Sequence, residues 1–169
     1  MSQIAITKTA PFPRRPLLDE LSRRGVRITA QRRAVLEAME QAGGHLDAAE
    51  LLERASKRAE GLDRATVYRT IDLLKRLGLV DELDLMHVEG EKHYYEIRPD
   101  KEHAHATCVE CGRVEEFASP LLEQIRREVS RELGFVVEVA RLEIGGRCAR
   151  CRAGATQGTS TPAEGARPR

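Results

Sequence analysis

The stretch DRATVYRTIDLLKRLGLVDELDLMHVEGEKHYYEIR, residues 63–98, changes its periodicity in the middle. In its first half, apolar residues recur at helical spacing between an Asp63 at the N-cap position and a Gly78 that closes the helix. After Gly78, two alternating runs flank the turn-prone EGEK, residues 89–92. The stretch therefore predicts one amphipathic helix followed by a β-hairpin.

Three further helical patterns precede this stretch. One spans about Arg15–Arg24 and ends at Gly25, and a second begins after Thr29, which is a suitable N-cap. A third begins at Asp47, with Glu50 at the spacing of a capping box. Several helices followed by a hairpin are typical of a winged helix-turn-helix, in which one helix enters the DNA major groove. A helical protein-interaction module with a small hairpin would give the same pattern.

Charge is distributed unevenly along the 169 residues, although the net charge is only +1. Residues 14–78 carry 14 Lys and Arg against 10 Asp and Glu, a net of +4, whereas residues 79–118 carry 4 against 11, a net of −7. A basic first half suggests a polyanionic partner, and an acidic middle with histidines suggests cations. No apolar run is long enough to span a membrane, and the first residues lack a secretion signal, so we expect a cytoplasmic protein.

A second domain is expected beyond a hinge near Arg98–Pro99. HAHATCVEC and RVEEF, residues 103–111 and 113–117, read as strands, Ser119 and Pro120 open a helix, and FVVEVARLEI, residues 135–144, reads as the clearest strand in the chain. The predicted divisions are a flexible arm (1–13), a winged-helix domain (14–98), a second domain (99–151) and a disordered tail (152–169).

Four cysteines stand in two C-x-x-C pairs: Cys108 with Cys111, and Cys148 with Cys151. Cytosolic thiols stay reduced, so the pairs point to metal ligands rather than disulfides. Four thiolates can surround zinc tetrahedrally, and a metal would help a domain of about 53 residues to fold. The alternative is two unconnected pairs that are buried or redox-active.

A second group of residues offers nitrogen and carboxylate ligands. His103 and His105 would project from the same face of a strand, and Glu96, Glu116 and His45 are further candidates. Such a mixed shell suits Fe(II), Mn(II), Zn(II) or Ni(II). The alternative is that all five are ordinary surface groups in a polar segment.

The chain resembles the ferric uptake regulator (Fur) superfamily from about Leu17 to Cys151. The segments that carry the resemblance are RITAQRRAVLEAM, DRATVYRTIDLLKRLGLV, HAHATCVECGRVEEF and the last C-x-x-C. The resemblance implies a homodimeric, metal-dependent transcription factor, usually a repressor. It also implies an α+β fold, with an N-terminal winged helix-turn-helix domain joined by a hinge to a small C-terminal α/β dimerisation domain.

By position, the resemblance assigns one structural zinc per subunit to the four cysteines. It assigns a regulatory site to His45, Glu96, His103, His105 and Glu116. Iron is the expected regulatory metal, because peroxide-sensing members carry aspartates in place of Glu96 and Glu116, and zinc sensors often place a cysteine in this site. Zinc-, manganese- and peroxide-responsive members remain the alternatives.

The sequence departs from the family at an additional metal site of the dimerisation domain. The corresponding positions here are Glu102, Ala104, Glu123 and Ala140. Two alanines provide no ligand atoms, so this site is expected to be absent or very weak.

Helix DRATVYRTIDLLKRLG is the expected recognition helix. Its residues expected to face outward, toward DNA, are Arg64, Thr66, Tyr68, Arg69 and Thr70. Tyr68 and Arg69 match the base-contacting positions of the family. Arg27 resembles a residue that enters an A·T-rich minor groove, and Arg32 is a candidate phosphate contact. A two-fold dimer would require an inverted-repeat, A/T-rich operator on double-stranded DNA.

Two other functional classes fit parts of the pattern. A hydrolase would hold catalytic zinc with His103, His105 and a glutamate, but the sequence has no H-E-x-x-H and no nucleophile elbow. A structural zinc-binding adaptor would bind no operator, and alanine at His103 would leave its interactions intact.

Overall fold

The computed structural model describes residues 7–8, 14–85 and 92–156. Its elements in chain order are β1 (Thr7–Lys8), α1 (Leu17–Arg23), α2 (Ala30–Ala42), β2 (Leu46–Asp47), α3 (Ala48–Ser56), α4 (Arg64–Arg76), β3 (Val80–Leu83), β4 (Tyr94–Ile97), β5 (Ala104–Cys108), β6 (Val114–Ala118), α5 (Pro120–Leu133), β7 (Glu143–Gly146) and α6 (Ala149–Thr156). The mixed α+β class is confirmed. Within the described ranges, no helix is both long and apolar enough to cross a membrane.

The N-terminal helices begin where their capping residues predict. The Thr29 hydroxyl accepts a hydrogen bond from the Arg32 amide at 3.2 Å, and Asp63 accepts one from the Thr66 amide at 2.6 Å. Asp47 and Glu50 form the expected capping box of α3. Each side chain satisfies an amide that has no partner within its own helix, which fixes where the helix starts.

The wing belongs to a three-stranded antiparallel sheet with the order β2-β4-β3. The predicted hairpin is present, with Val80 opposite Ile97, and β3 ends at Leu83. Strand β2, which the sequence did not suggest, pairs Leu46 with Tyr95. Because His45 directly precedes β2, this pairing places His45 beside the sheet.

The main buried cluster lies entirely between Leu17 and Ile97. Val67, Ile71 and Leu74 of α4 are each at most 1% exposed within it, as their spacing predicts. Beyond Pro99, the buried apolar residues of the described part of the chain are Ala104, Cys108 and Leu122. The second half of the chain therefore has little core of its own.

The C-terminal part contains a four-stranded sheet with the order β1-β6-β5-β7. Strands β5 and β6 are antiparallel, and β5 and β7 are parallel. Helix α5 starts after Ser119, whose hydroxyl accepts the Leu121 amide, and ends at Gly134, where φ is +70°. Both ends match the sequence, because the N-cap hydroxyl and the C-terminal glycine are local signals.

The expected strand at residues 135–144 is wrong for most of its length, since β7 covers only Glu143–Gly146. The apolar side chains before it lie in solvent, with Val136 88% and Val139 53% exposed. A β-prone segment becomes a strand only when another strand pairs with it, and the described residues provide no such neighbour for residues 135–142.

Both predicted termini need correction. Thr7–Lys8 form β1 and pair with Phe117 and Ala118 of β6, so the expected flexible arm contributes to the sheet. Helix α6 continues to Thr156, so the expected tail starts later than residue 152. The rest of the arm (1–6 and 9–13) and of the tail (157–169) lies outside the described residues.

Asp81 on β3 joins the two halves of the chain. Its carboxylate accepts two hydrogen bonds from Arg98, at 2.9 and 2.7 Å, and one from Arg141 Nη2 at 2.8 Å. Burial favours a raised pKa for Asp81, but the two guanidinium groups outweigh burial and lower it. Arg141 lies in the segment before β7, so this ion pair links the wing to the C-terminal half.

Replacing Asp81 with asparagine is expected to lower the free energy of unfolding by about 1 kcal/mol, because the two arginines are partly exposed and the lost attraction is screened. Asp72→Asn, on the exposed side of α4, is the matched control. Thermal denaturation of zinc-loaded protein measures the difference, at roughly 2–8 °C for each kcal/mol. Equal midpoints for Asp81→Asn and the parent protein would contradict this role.

Candidate metal centres and DNA-facing helix

The four cysteines converge at one end of the C-terminal sheet. Cys108 ends β5, and Cys111 lies in the turn after it. Cys148 directly precedes α6, and Cys151 lies in its first turn. Their four sulfur atoms lie within 4.8 Å of one another, and the Cys111 and Cys148 sulfurs are 3.9 Å apart. The intervening helix and strand thus bring together two pairs that are distant in sequence.

Backbone amides stabilise negative charge in this cluster. The Cys148 amide donates to Cys108 Sγ at 3.3 Å, and this and neighbouring amides lower the pKa of Cys108 to about 6. Hydrogen bonding to Cys111 and Cys148 raises the pKa of Cys151 to about 12. Thiolates this close cannot all ionise unless a cation is shared among them.

The cluster fits a zinc ion. Zn–S bonds of about 2.3 Å in a tetrahedron place neighbouring sulfurs about 3.8 Å apart, close to the distance between Cys111 and Cys148. The part of the chain that the structure describes contains four free cysteines, and all four belong to this cluster.

The histidines and glutamates of the second cluster come from both halves of the chain. His45 precedes β2 and Glu96 lies on β4, whereas His105 on β5 stands directly opposite Glu116 on β6. Opposite residues of paired strands project from the same face, so His105 and Glu116 point together. His103, two residues before His105, projects beside it.

Glu96 is the centre of this cluster. Its two oxygens lie 3.2 Å from His103 Nε2, 3.3 Å from His45 Nε2 and 3.6 Å from His105 Nε2. Ligand atoms of His45, Glu96, His105 and Glu116 lie within 4.8 Å of one another. His103 joins the edge of this group, with its Nε2 3.1 Å from that of His105. The structure therefore brings all five predicted residues together.

The cluster is buried and incompletely hydrogen-bonded. Glu96 is 2% exposed, and His45 Nε2, Glu96 Oε2 and Glu116 Oε2 are buried without a hydrogen-bond partner in the described residues. Burial raises the pKa of Glu96, but its three histidine neighbours outweigh burial and hold it well below the ordinary range. Buried polar atoms aimed at a common point fit a divalent cation with mixed nitrogen and oxygen ligands.

One arginine that the sequence did not single out enters this cluster. Arg14 Nη2 lies 2.9 Å from Glu116 Oε1 and 3.7 Å from Glu96 Oε2. Arg14 follows the expected flexible arm in sequence and belongs to no local motif. Only the tertiary contacts reveal it.

The exposed face of α4 carries most of the expected DNA contacts. Arg64, Tyr68 and Arg69 are exposed, Thr66 is partly exposed, and the Arg64 guanidinium lies 5.7 Å from the centre of the Tyr68 ring. Thr70 is buried instead, and its hydroxyl donates to the Thr66 carbonyl at 2.8 Å. Arg27 is exposed, whereas Arg32 is partly buried and donates to the Arg27 carbonyl.

Residues 23–145 match the sequence profile of the ferric uptake regulator family. The ferric uptake regulation protein of Synechococcus elongatus is 37% identical over 138 residues, which cover 80% of this chain and 92% of that protein. The chain belongs to the ferric uptake regulator family.

Solved structures with the same fold include the ferric uptake regulator of Pseudomonas aeruginosa with manganese. It has a TM-score of 0.65 and 28% identity, with 78% of this chain and 97% of that chain covered. A zinc uptake regulator complexed with zinc and DNA has a TM-score of 0.61 and 26% identity, with 83% and 93% covered. The chain is thus a metal-dependent transcriptional regulator and not an enzyme, which argues against the hydrolase interpretation.

The positions of the additional family metal site do not gather three ligands in the described part of the chain. Glu102 pairs with Arg126, which also donates to the Val137 carbonyl at 2.6 Å, and Glu123 accepts from Arg127 at 3.0 Å. Arginines thus engage both carboxylates. The absence of this site stays a prediction, supported by these pairs.

Proposed function

We propose that this protein is a homodimeric repressor whose affinity for operator DNA rises when Fe(II) is bound by His45, Glu96, His103, His105 and Glu116. The observation that carries the proposal is the convergence of these side chains from both halves of the chain around the buried carboxylate of Glu96. We place its action in the cytoplasm, on chromosomal DNA.

The metal site would change DNA affinity by fixing how the two parts of the chain are arranged. His45 and Glu96 belong to the domain that carries α4, whereas His105 and Glu116 belong to the C-terminal sheet. A cation held by both sets favours one relative arrangement of the two parts, and we propose that this arrangement is the one that fits DNA. Because linkage is reciprocal, DNA should tighten metal binding by the same factor.

The donor set fits iron, and similarity favours it. The cluster consists of imidazoles and carboxylates and includes no thiolate, which suits Fe(II), Mn(II), Zn(II) or Ni(II) and disfavours soft ions. The Synechococcus elongatus relative is named a ferric uptake regulation protein. Zn(II) and Mn(II) remain alternatives, since one solved relative is described with zinc and another with manganese.

The four cysteines hold the second ion, which we assign as one structural zinc per subunit. All four positions of a tetrahedral shell are supplied by protein sulfur, so no position stays open for substrate or signal. This division separates a permanent ion from a regulatory one.

The exposed apolar side chains of the C-terminal half support the homodimer. Ile125, Leu133, Phe135, Val136 and Val139 are each more than half exposed. Apolar groups gathered on one part of a small domain mark an interaction surface. A second copy would cover these side chains and would offer residues 135–142 a strand partner, which they do not find among the described residues of one chain.

We place α4 in the major groove of the operator. Tyr68 and Arg69 would contact bases, with Arg64 and Thr66 beside them, and the exposed Arg27 would enter an A/T-rich minor groove. Arg32 is a phosphate contact only if it releases the Arg27 carbonyl. The two-fold axis of the dimer requires an inverted-repeat site.

The test is a titration of DNA binding by protein with a constant zinc content in the cysteine site. Fe(II), Mn(II), Zn(II) and Ni(II) are added anaerobically to the parent protein, His103→Ala and His93→Ala. We expect Fe(II) to raise the parent's affinity at least tenfold, or about 1.4 kcal/mol, and His103→Ala to lose this response while remaining dimeric. His93, half-exposed beside Asp84, is the matched control and should respond like the parent.

Two results would overturn the proposal. If no metal changes the affinity for DNA, the protein is a constitutive DNA binder. If metal raises the DNA affinity of His103→Ala as much as that of the parent, the histidine cluster is not the regulatory site.

A further inference from the structure

Arg14 inserts a positive charge among the proposed regulatory ligands. Its side chain is 10% exposed, and its Nη2 donates to Glu116 Oε1 at 2.9 Å. The same nitrogen lies 3.7 Å from Glu96 Oε2, the oxygen that also faces His45 and His105. One guanidinium charge therefore already lies against the two carboxylates on which a divalent cation would depend.

The position of this guanidinium is fixed from several sides. Arg14 Nε donates to the Ile97 carbonyl at 3.2 Å, and Nη1 donates to the Gly43 carbonyl at 2.5 Å. The Arg14 backbone also pairs with Pro99. Arg14 thus contacts the loop before His45, strand β4 and strand β6 at once, which are the elements that carry three of the proposed ligands.

Two cations cannot share these oxygens without a penalty. Like charges a few ångströms apart repel each other, more strongly in a poorly solvated site than in water, and a divalent ion doubles the repulsion. Glu116 Oε1 must also exchange its hydrogen bond from Arg14 for any bond to a metal.

Building on the proposed function, we propose that Arg14 is an internal competitor of the regulatory metal, and that a divalent cation binds fully only when the guanidinium leaves Glu96 and Glu116. Arg14 therefore sets the metal concentration at which the regulator responds. Its removal should tighten metal binding, whereas removal of a residue that merely supports the ligands should weaken it.

The competition also reaches the N-terminal segment. Arg14 follows β1, which pairs with β6, the strand that carries Glu116. When the guanidinium leaves, the Arg14 side chain loses its contacts with Gly43, Ile97 and Glu116, and the backbone there keeps its pairing with Pro99. Metal binding then changes the contacts of the N-terminal segment as well as those of the DNA-binding domain.

The experiment compares the full-length parent, Arg14→Ala, Arg14→Gln and Arg15→Ala, all with zinc in the cysteine site. Arg15 is the matched control, because it is the next arginine along the chain, is 56% exposed and pairs with Asp100 outside the cluster. Affinities for Mn(II), by electron paramagnetic resonance, and for Zn(II), by competition with an indicator, are measured at fixed pH and ionic strength. We expect both Arg14 variants to bind at least tenfold more tightly than the parent and Arg15→Ala to stay within twofold.

Amide hydrogen exchange gives a second readout. Adding Mn(II) to the parent should accelerate exchange of the Arg14 and Arg15 amides, whereas in Arg14→Ala the amides of residues 14 and 15 should exchange fast from the start. Circular dichroism establishes that both variants are folded, and Arg14→Gln retains a hydrogen-bond donor if the alanine variant is unstable.

The outcomes are distinguishable. Equal or weaker metal binding by both Arg14 variants would overturn this inference alone and leave the regulatory site standing. If neither the parent nor any variant binds Mn(II) or Zn(II) outside the cysteine site, the regulatory site itself is wrong and the inference fails with it.

Discussion

Cys108→Ser is expected to lose its zinc and to unfold the C-terminal half of the chain while leaving the winged helix folded. The main buried cluster ends at Ile97, and beyond Pro99 the described residues bury only Ala104, Cys108 and Leu122 among the apolar side chains. Structural zinc in small domains contributes an apparent 10–16 kcal/mol to folding. A domain with so little core cannot offset a loss of that size.

Thr107→Val provides the matched control, one residue earlier on β5. The Thr107 hydroxyl is buried and makes no hydrogen bond among the described residues, so its replacement by a methyl group should leave stability nearly unchanged. Zinc content per chain, circular dichroism and size-exclusion chromatography measure the outcome. A Cys108→Ser protein that retains one zinc per chain and the parent's oligomeric state would contradict the structural assignment.

Arg69→Ala is expected to weaken operator binding about tenfold to a hundredfold, as the loss of an arginine that contacts a base costs about 1–3 kcal/mol. Arg69 is exposed on α4, in the first half of the helix. The matched control is Arg76→Ala, two turns further along nearly the same face, where the change of charge is identical.

The measurement compares the inverted-repeat duplex that the parent selects from a random pool with a scrambled duplex, at two salt concentrations. Arg69→Ala should lose affinity mainly for the selected duplex. Arg76→Ala should lose less, and equally for both duplexes, because removing a charge that contacts no base weakens only attraction to the phosphates, which carries no sequence preference. Equal losses in both variants would place Arg69 on the backbone rather than on a base.

Local signals in the sequence were sufficient to predict where the N-terminal helices begin. Thr29, Asp47 and Asp63 each cap the helix that follows, because a capping hydrogen bond involves only neighbouring residues. Thr70 is the exception: helical spacing alone placed it outward, but its hydroxyl bonds back to Thr66 and its side chain is buried.

Pairing between strands that are distant in sequence could not be predicted from local signals. Residues 135–142 have strand-forming composition but no strand neighbour in the described chain, and Thr7–Lys8 form a strand only because β6 is available to pair with them. Strand β2 is likewise too short to be read without its partner β4.

In the candidate sites, too, local patterns predict some neighbours and not others. Strand alternation places His103 beside His105, and the C-x-x-C spacing places each cysteine with its neighbour. The inclusion of His45 and Glu116 in one cluster depended on a family resemblance, because residues so far apart in sequence share no local pattern. Arg14 belonged to no motif, so only the distances to Glu96 and Glu116 identified it.

The placement of the core in one half of the chain has a consequence for the life of the protein in the cell. With the proposed zinc and dimer, a newly synthesised chain can fold its first half at once, whereas the second half waits for both an ion and a second copy. Until then, that half is open to proteases, which act on unfolded segments and so favour clearance of incomplete molecules. The number of regulator molecules would thereby follow the zinc supply and the rate of synthesis, independently of the signal that the finished dimer reports.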